Sequence, residues 1–216
     1  MSRIDLSKTR KRTGRPVDEE KRVAIVNAAA RAFFDHGYAA SSIEAIAAEA
    51  GVSKVTIYNQ FGGKRELFTA AVVAECGKMR RSFEVPEFVE GTLRERLTEI
   101  GEAMTAFLSR PEMIQFDRRI SAETEREPGI GKAFLAAGPY RMKMAFAEFL
   151  EAMHDAGEVA IDDIPLATEQ FVSMCKGMGD LERRFGAEPT RAEDRRRIDG
   201  AVEVFCRAYA VDRNCR

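Results

Sequence analysis

The apolar residues of this 216-residue chain recur every three or four positions over most of its length, and glycine or proline interrupts the pattern at short intervals. This spacing is typical of amphipathic helices, whereas strands alternate apolar and polar residues with a period of two. The chain has no convincing period-two segment and no internal repeat. The sequence therefore predicts an all-α fold of about nine helices.

Helix boundaries follow from the glycines, the prolines and the capping residues between the apolar runs. Gly138-Pro139 marks a candidate kink within the seventh predicted helix. The predicted helices run from about Val23 to His36, Ile43 to Ala50, Ser53 to Gln60, Lys64 to Arg81, Leu93 to Phe107, Met113 to Glu127, Lys132 to Asp155, Pro165 to Phe185 and Arg191 to Val211.

Composition excludes several classes of protein. Hydrophobic residues make up 45% of the chain and charged residues 32%, enough to bury a core while the surface stays hydrated. Charges interrupt every apolar run well short of the ~18 residues that a membrane span needs. The four cysteines form no CxxC pair, and the basic N-terminus has no apolar run behind it. We expect a cytoplasmic protein without metal, cofactor or membrane partner.

Charge is distributed unevenly although the net charge is only −1. Residues 1–65 hold 12 Lys and Arg against 7 Asp and Glu, while residues 66–216 hold 22 against 28. Such asymmetry favours a basic end that binds a polyanion. A solvated basic tail without a partner fits the same numbers, so charge alone leaves both interpretations open.

Two short predicted helices flank Gly51, and this arrangement is the weak sequence form of a helix-turn-helix. Ile43, Ile46 and Ala47 form the inward face of the first, and Ile57 lies on the inward face of the second. Isolated helices of this length are marginal, so the second must lean on its neighbours. Its outward residues suit a DNA groove; they are Lys54, Val55, Thr56, Tyr58 and Asn59.

The residues around this turn resemble a known family. Ser41 to Ala47, then Gly51 to Tyr58, then the spacing Tyr-x-x-Phe-x-x-Lys-x-x-Leu-Phe that ends at Phe68, resemble the DNA-binding segment of TetR/AcrR-type transcriptional regulators. The resemblance runs from about Val17 to Val73. Many members have a small residue where this chain has Val55, whose added bulk can meet a thymine methyl group.

The resemblance implies three parts: a flexible basic tail at residues 1–16, a DNA-binding domain at 17–77 with its helix-turn-helix at about 42–61, and a helical effector-binding and dimerisation domain at 78–216. The last part resembles, more weakly, the AefR-like C-terminal domain, through Arg119-Ile120-Ser121-Ala122-Glu123 and Gly138-Pro139 among other residues. By this resemblance it binds a small effector and forms a homodimer through its last two long helices.

The candidate DNA contacts are Ser42, Ser53, Lys54, Val55, Thr56, Tyr58, Asn59 and Lys64. By the resemblance, Tyr58 and Lys64 contact the phosphate backbone. Several of these residues also have a structural interpretation, since Ser42 can cap its own helix, Tyr58 can pack at the rim of the core, and Lys64 can be the capping charge of the helix that it begins.

Methionine and phenylalanine supply pliable apolar surface, although at helical spacing such residues are core by default. The candidate effector pocket consists of Met104, Phe107, Met113, Phe116, Met142 and Phe146, with Arg118, Arg119 and Glu123 able to orient one polar end of a largely apolar ligand. The candidate dimer residues are Leu181, Phe185, Val202, Phe205 and Tyr209, which could equally serve the subunit core.

The sequence thus predicts a homodimeric, ligand-responsive transcriptional repressor that binds a palindromic operator in double-stranded DNA. A helical small-molecule-binding protein with a vestigial helix-turn-helix is the alternative. An all-α enzyme is a third interpretation, but the chain lacks GxSxG, HExxH, P-loop and GxGxxG motifs. His36 and His154 each lie near a helix end, where a cation favours the helix dipole, and need no catalytic role.

Overall fold

A computed structural model of the chain describes residues 15–80 and 91–211. Within these ranges the chain is helical, apart from loops and one isolated antiparallel bridge between Val159 and Ala210. The predicted basic tail lies almost wholly outside the described residues. The helices are α1 (Arg15–His36), α2 (Ile43–Glu49), α3 (Lys54–Phe61), α4 (Lys64–Arg80), α5 (Leu93–Leu108), α6 (Pro111–Arg126), α7 (Pro128–Ala137), α8 (Pro139–Asp155), α9 (Ile164–Arg184) and α10 (Arg191–Tyr209).

The all-α fold is confirmed, but the described part of the chain has ten helices where about nine were predicted. The predicted helix from Lys132 to Asp155 is two helices, α7 and α8, separated by Gly138 at φ −115° and ψ −87°. Pro139 causes the break, because its ring disfavours the helical conformation of the preceding residue and its nitrogen has no proton to donate.

Two helices begin with a reciprocal cap that the sequence encodes locally. Thr92 before α5 and Thr190 before α10 each accept a hydrogen bond from the third residue of the helix, Glu95 or Glu193. Each glutamate in turn accepts from the threonine backbone N–H, and this bond is the largest cause that lowers the pKa of both carboxyl groups. These capping boxes fix where α5 and α10 start.

The described residues pack into two apolar cores, and the division between them does not follow the chain. The first core joins α1 to α4 with α6 and α7, and the second joins α5, α8, α9 and α10. Helices α6 and α7 follow the predicted domain boundary at residue 77 but pack with the N-terminal helices. A movement of α6 therefore displaces the first core, which includes α1 to α4.

Aromatic rings join α6 to α1 and α7 to α6. Phe116 of α6 stacks on Phe34 of α1, with ring centroids 4.0 Å apart and nearly parallel planes. Phe134 of α7 meets the edge of the same ring at 5.6 Å. Such pairs add about 0.5–1.5 kcal/mol each to the burial of their surface. This junction ties the two later helices to the first core.

Helix α9 changes direction at Gly177, whose backbone has φ 47° and ψ −148°. A residue with a Cβ is strained in that conformation. The Arg197 side chain of α10 lies against this point, and a Cβ added at Gly179 would come within 2.5 Å of its Nη1 atom. Asp194 and Glu182 pair with Arg197 from either side.

Among the described residues, no helix combines the length and the apolarity that crossing a bilayer requires.

Candidate nucleic-acid interface and ligand cavity

The helix-turn-helix forms as the sequence predicts. Ser42 caps α2, its Oγ accepting from the backbone N–H of Ala45 at 3.1 Å. The predicted inward face is confirmed, since Ile43, Ile46 and Ala47 are all buried. Gly51 makes the turn at φ +66°, a conformation that favours glycine. Helix α2 is therefore held from both ends and along one face.

Helix α3 projects from this support with one face free. Ile57 is fully buried, while Val55 is 59% exposed and Tyr58 48% exposed. Ser53 caps the helix by accepting from the Thr56 N–H, and its Oγ lies 3.0 Å from the Thr56 hydroxyl. Thr56 is half-buried, and its hydroxyl keeps further hydrogen-bonding capacity beside this contact.

The exposed face of α3 therefore offers mainly Lys54, Val55, Tyr58 and Asn59 to a partner. Lys54 lies 3.5 Å from Glu44, and both side chains are exposed. An exposed pair of this kind is worth at most about 1 kcal/mol, so a phosphate can replace the glutamate.

Lys64 is half-buried at the start of α4 and contacts the turn that precedes α2. Its Nζ donates to the Ala39 carbonyl at 3.4 Å and lies 4.5 Å from the centre of the Tyr38 ring. Burial is the main cause that lowers its pKa, opposed by the nearby Glu123 and Glu127. The predicted phosphate contact thus also has a structural role.

Arg22 of α1 is a basic residue beside α3 that sequence reasoning missed. Its guanidinium lies 4.5 Å from the centre of the Phe61 ring and donates to the Gln60 carbonyl at 3.4 Å. Arg22 and Gln60 are 38 positions apart in the sequence, so no local sequence pattern predicts their contact. Arg22 adds positive charge at the end of α3.

An apolar cavity of about 190 Å³ lies where the two cores meet. Five of the six predicted pocket residues line it, namely Met104, Phe107, Met113, Met142 and Phe146. Its other walls come from α4, α5, α7, α8 and α9, in the form of Cys76, Ile100, Leu108, Phe134, Gly138, Pro139, Lys143, Phe171, Val172 and Lys176.

Phe116 is the exception, and its placement corrects the sequence interpretation. The side chain is fully buried in the first core, stacked on Phe34 rather than facing the cavity. Helical spacing shows that Phe116 points inward but not toward which of two cores.

The cavity walls carry little polarity. Lys143 pairs with Glu169, and Lys176 pairs with Asp180 at 3.1 Å. Burial raises the pKa of the Cys76 thiol to about 11, so this side chain stays neutral near pH 7. The arrangement suits a largely apolar molecule with a polar edge near the two lysines.

Arg118, Arg119 and Glu123 do not line the cavity, contrary to the sequence interpretation. Arg118 donates to the Arg183 carbonyl at the end of α9. Arg119 and Glu123 instead contact the end of α1 and the turn that follows it. All three side chains therefore bind backbone groups of neighbouring segments rather than a ligand in the cavity.

The candidate dimer residues differ in burial and fall into three groups. Val202 and Phe205 are buried in the second core against other helices of the same subunit, so they are not available to a partner and that interpretation is corrected. Tyr209 is half-buried, and its hydroxyl donates to Gln170 at 2.9 Å. Leu181 on α9 and Phe185, the residue that caps its C-terminal end, are exposed, and Met178 lies beside them at helical spacing. We call Met178, Leu181 and Phe185 the α9 stripe.

Comparison with known proteins supports this architecture. Residues 25–71 match the family model described as bacterial regulatory proteins of the tetR family. Residues 95–211 match the model of the AefR-like transcriptional repressor C-terminal domain.

Several relatives are similar to this chain over nearly their whole length. The solved structure of the flavonoid-responsive regulator FrrA is 30% identical, covers 89% of this chain and 98% of its own, and has a TM-score of 0.72. A structure from Mesorhizobium loti assigned to the TetR family is 27% identical, with coverages of 90% and 98% and a TM-score of 0.73. YvkB of Bacillus subtilis, an HTH-type transcriptional regulator, is 22% identical over 87% of this chain and 96% of its own. The chain therefore belongs to the tetR family of bacterial regulatory proteins and is a DNA-binding transcriptional regulator rather than an enzyme.

Proposed function

We propose that the protein is a cytoplasmic, ligand-responsive repressor that binds a palindromic operator as a homodimer. One observation carries the proposal: the apolar cavity is walled by α4 and α6, two helices that also form the core of the helix-turn-helix unit. A ligand that favours another position of these helices shifts the orientation of α3 and hence its affinity for DNA. The match to the C-terminal domain of AefR-like transcriptional repressors supports the proposal that the bound protein represses transcription.

Lys64→Ala should weaken binding to specific and random duplex DNA alike. The change removes one phosphate neutralisation, so the slope of log affinity against log salt should become shallower by about one unit. Binding is measured by fluorescence anisotropy between about 50 and 200 mM salt. An unchanged slope with a lowered melting temperature would assign Lys64 to the Ala39 turn alone. Failure of the wild type to bind any duplex would favour the alternative of a vestigial helix-turn-helix.

Val55 should contact a thymine methyl group, because its apolar side chain is exposed near the start of α3, which is the recognition helix of the proposed DNA complex. The test uses the duplex that the protein itself enriches from a random-sequence pool. Replacing thymines one at a time by deoxyuridine removes only the methyl group. We expect one position per half-site to lose about 3- to 10-fold in affinity with the wild type and clearly less with Val55→Ala, whose shorter side chain contacts the methyl group less closely. Equal sensitivity of both proteins at every position would exclude this contact.

The cavity walls point to an aromatic effector. Phenylalanine and methionine side chains surround the space, and Lys143 and Lys176 lie at its border. A flat aromatic molecule with phenolic hydroxyl groups satisfies both features. FrrA, the relative at 30% identity, is described as responsive to flavonoids. We propose an effector of flavonoid-like chemistry.

Met104→Trp should fill part of the cavity and abolish release of DNA by the effector while leaving DNA affinity nearly unchanged. The operator complex is titrated with naringenin and genistein, using wild type and variant. Met144→Trp is the matched control, since Met144 is exposed on the same subunit and does not line the cavity. A normal response from folded Met104→Trp would place the ligand elsewhere.

A further inference from the structure

Helix α6 contacts a different part of the molecule with each of its turns. Near its start Met113 lines the cavity. One turn later Asp117 pairs with Arg184 at 3.0 Å, and Arg118 donates to the Arg183 carbonyl, so this turn holds the end of α9. The following residues, from Arg119 on, reach the helix-turn-helix unit. One rigid helix thus connects the cavity to the DNA-binding part.

Arg119 holds the end of α1. Its Nη1 atom donates to the Phe34 carbonyl at 2.8 Å and also to the Asp35 carbonyl. The last carbonyls of a helix have no partner within it, and a cation near them complements the helix dipole. The Gly37 N–H already donates to the Phe33 carbonyl at 2.9 Å, and Arg119 adds from α6 the donors for the next two carbonyls of α1.

Glu123 holds the turn that follows. Its two carboxylate oxygens accept from the backbone N–H groups of Tyr38 at 3.1 Å and Ala39 at 3.2 Å. Gly37 allows this approach, because it has φ +88° and because a Cβ there would lie 2.6 Å from Glu123 Oε1. The turn leads directly into Ser42, the cap of α2. The carboxylate thus holds in place the turn that leads into α2.

Arg119 and Glu123 are four residues apart, so both lie on the same face of α6. We call this pair the α6 clamp. One member binds carbonyl groups and the other binds N–H groups of a single α1–α2 connection. Hydrogen bonds to charged groups are stronger than those between neutral groups and depend on direction. A shift of α6 therefore displaces the connection rather than sliding past it.

We propose that Arg119 and Glu123 are positioning residues that couple the cavity to DNA binding. A displacement of α6, caused at Met113 or at the end of α9, passes through the clamp to the α1–α2 turn and so to α2 and α3. This route is distinct from the direct chain connection through α4. The inference rests on the proposed ligand response for one arm of its test and is independent of it for the other.

The first arm measures coupling with naringenin as the probe. DNA affinity is measured with and without saturating naringenin for wild type, Arg119→Gln and Glu123→Ala, on the duplex enriched from a random pool. Glu125→Gln and Arg126→Gln are matched controls, because both residues are exposed on α6. We expect the factor by which naringenin weakens DNA binding to fall about fivefold or more in the two clamp variants only.

Two further readouts separate coupling from a merely structural role. Naringenin affinity of the free variants should stay within about twofold of wild type, and the shift in that affinity caused by DNA should shrink by the same factor as the DNA effect, because coupling is reciprocal. A clamp that only stabilises the fold would instead lower the melting temperature and the basal DNA affinity, with the naringenin factor unchanged. That result would overturn the proposal.

The second arm needs no ligand. Met113→Ala changes the cavity side of α6, and its effect on DNA affinity is compared in the wild-type and Glu123→Ala backgrounds. We expect a change of about threefold or more with the clamp intact and less than about 1.5-fold without it. Equal changes in both backgrounds would refute the clamp. If wild type ignores naringenin, the proposed effector class fails, and this cycle still decides the inference. If Glu123→Ala does not fold, Glu123→Gln, which keeps one acceptor, takes its place.

Discussion

Replacing Leu181 and Phe185 together with aspartate is expected to give folded monomers that bind the palindromic duplex roughly 10²- to 10⁴-fold more weakly. Both side chains are exposed, Phe185 by 86%, so the change leaves the subunit core intact. In the proposed dimer the α9 stripe is covered by its symmetry mate, and two aspartates per subunit would have to be buried there without partners. Linked half-sites gain affinity through effective concentration, which monomers lose.

Mass is measured by sedimentation velocity, and affinity is measured on a full palindrome and on a single half-site. The half-site affinity should be nearly unchanged, which separates loss of assembly from loss of DNA contacts. Met144→Asp, which alters an exposed methionine on α8, serves as the control and should remain dimeric. An unchanged mass for the double variant would exclude the α9 stripe as the interface.

Phe116→Ala should lower the free energy of unfolding by about 3–5 kcal/mol, the range for large buried aromatic residues. The ring is fully buried and packs on both Phe34 and Phe134, so its removal weakens the contact of α6 with α1 and that of α7 with α6. Urea denaturation followed by circular dichroism measures the loss.

Met142→Ala is the companion variant for Phe116→Ala. Met142 is only partly buried and lines the cavity, so its truncation should cost less stability and should weaken naringenin binding instead. If Phe116→Ala lost less than about 1 kcal/mol, the first core would not depend on this junction.

Local signals in the sequence were sufficient for much of the fold. Ser42 caps α2 and Ser53 caps α3, because a cap depends only on the few residues that follow it. The inward face of α2 follows from helical spacing for the same reason. Gly138-Pro139 predicts a kink, and local sterics make it a complete boundary between helices.

Other features depend on which surfaces meet, and periodicity does not contain that information. Met113 and Phe116 are one turn apart on α6 and both belong to the first core, yet only Met113 also lines the cavity. Phe205 and Phe185 have the same apolar character, but one is buried within the subunit and the other is exposed. Glu123 accepts a hydrogen bond from Tyr38, which lies 85 positions away in the sequence. The local sequence around Glu123 therefore does not show which group its carboxylate binds.

The bend at Gly177 separates the direction of the α9 stripe from that of the cavity wall formed by Phe171 and Val172. In the proposed dimer the stripe sets the angle between subunits, and that angle sets how far apart the two recognition helices stand. In that proposed dimer, a glycine far along the chain from α3 governs the half-site spacing that the protein can span. Changes at this residue could retune the choice of operator during evolution while the ligand chamber and the base-reading residues stay the same.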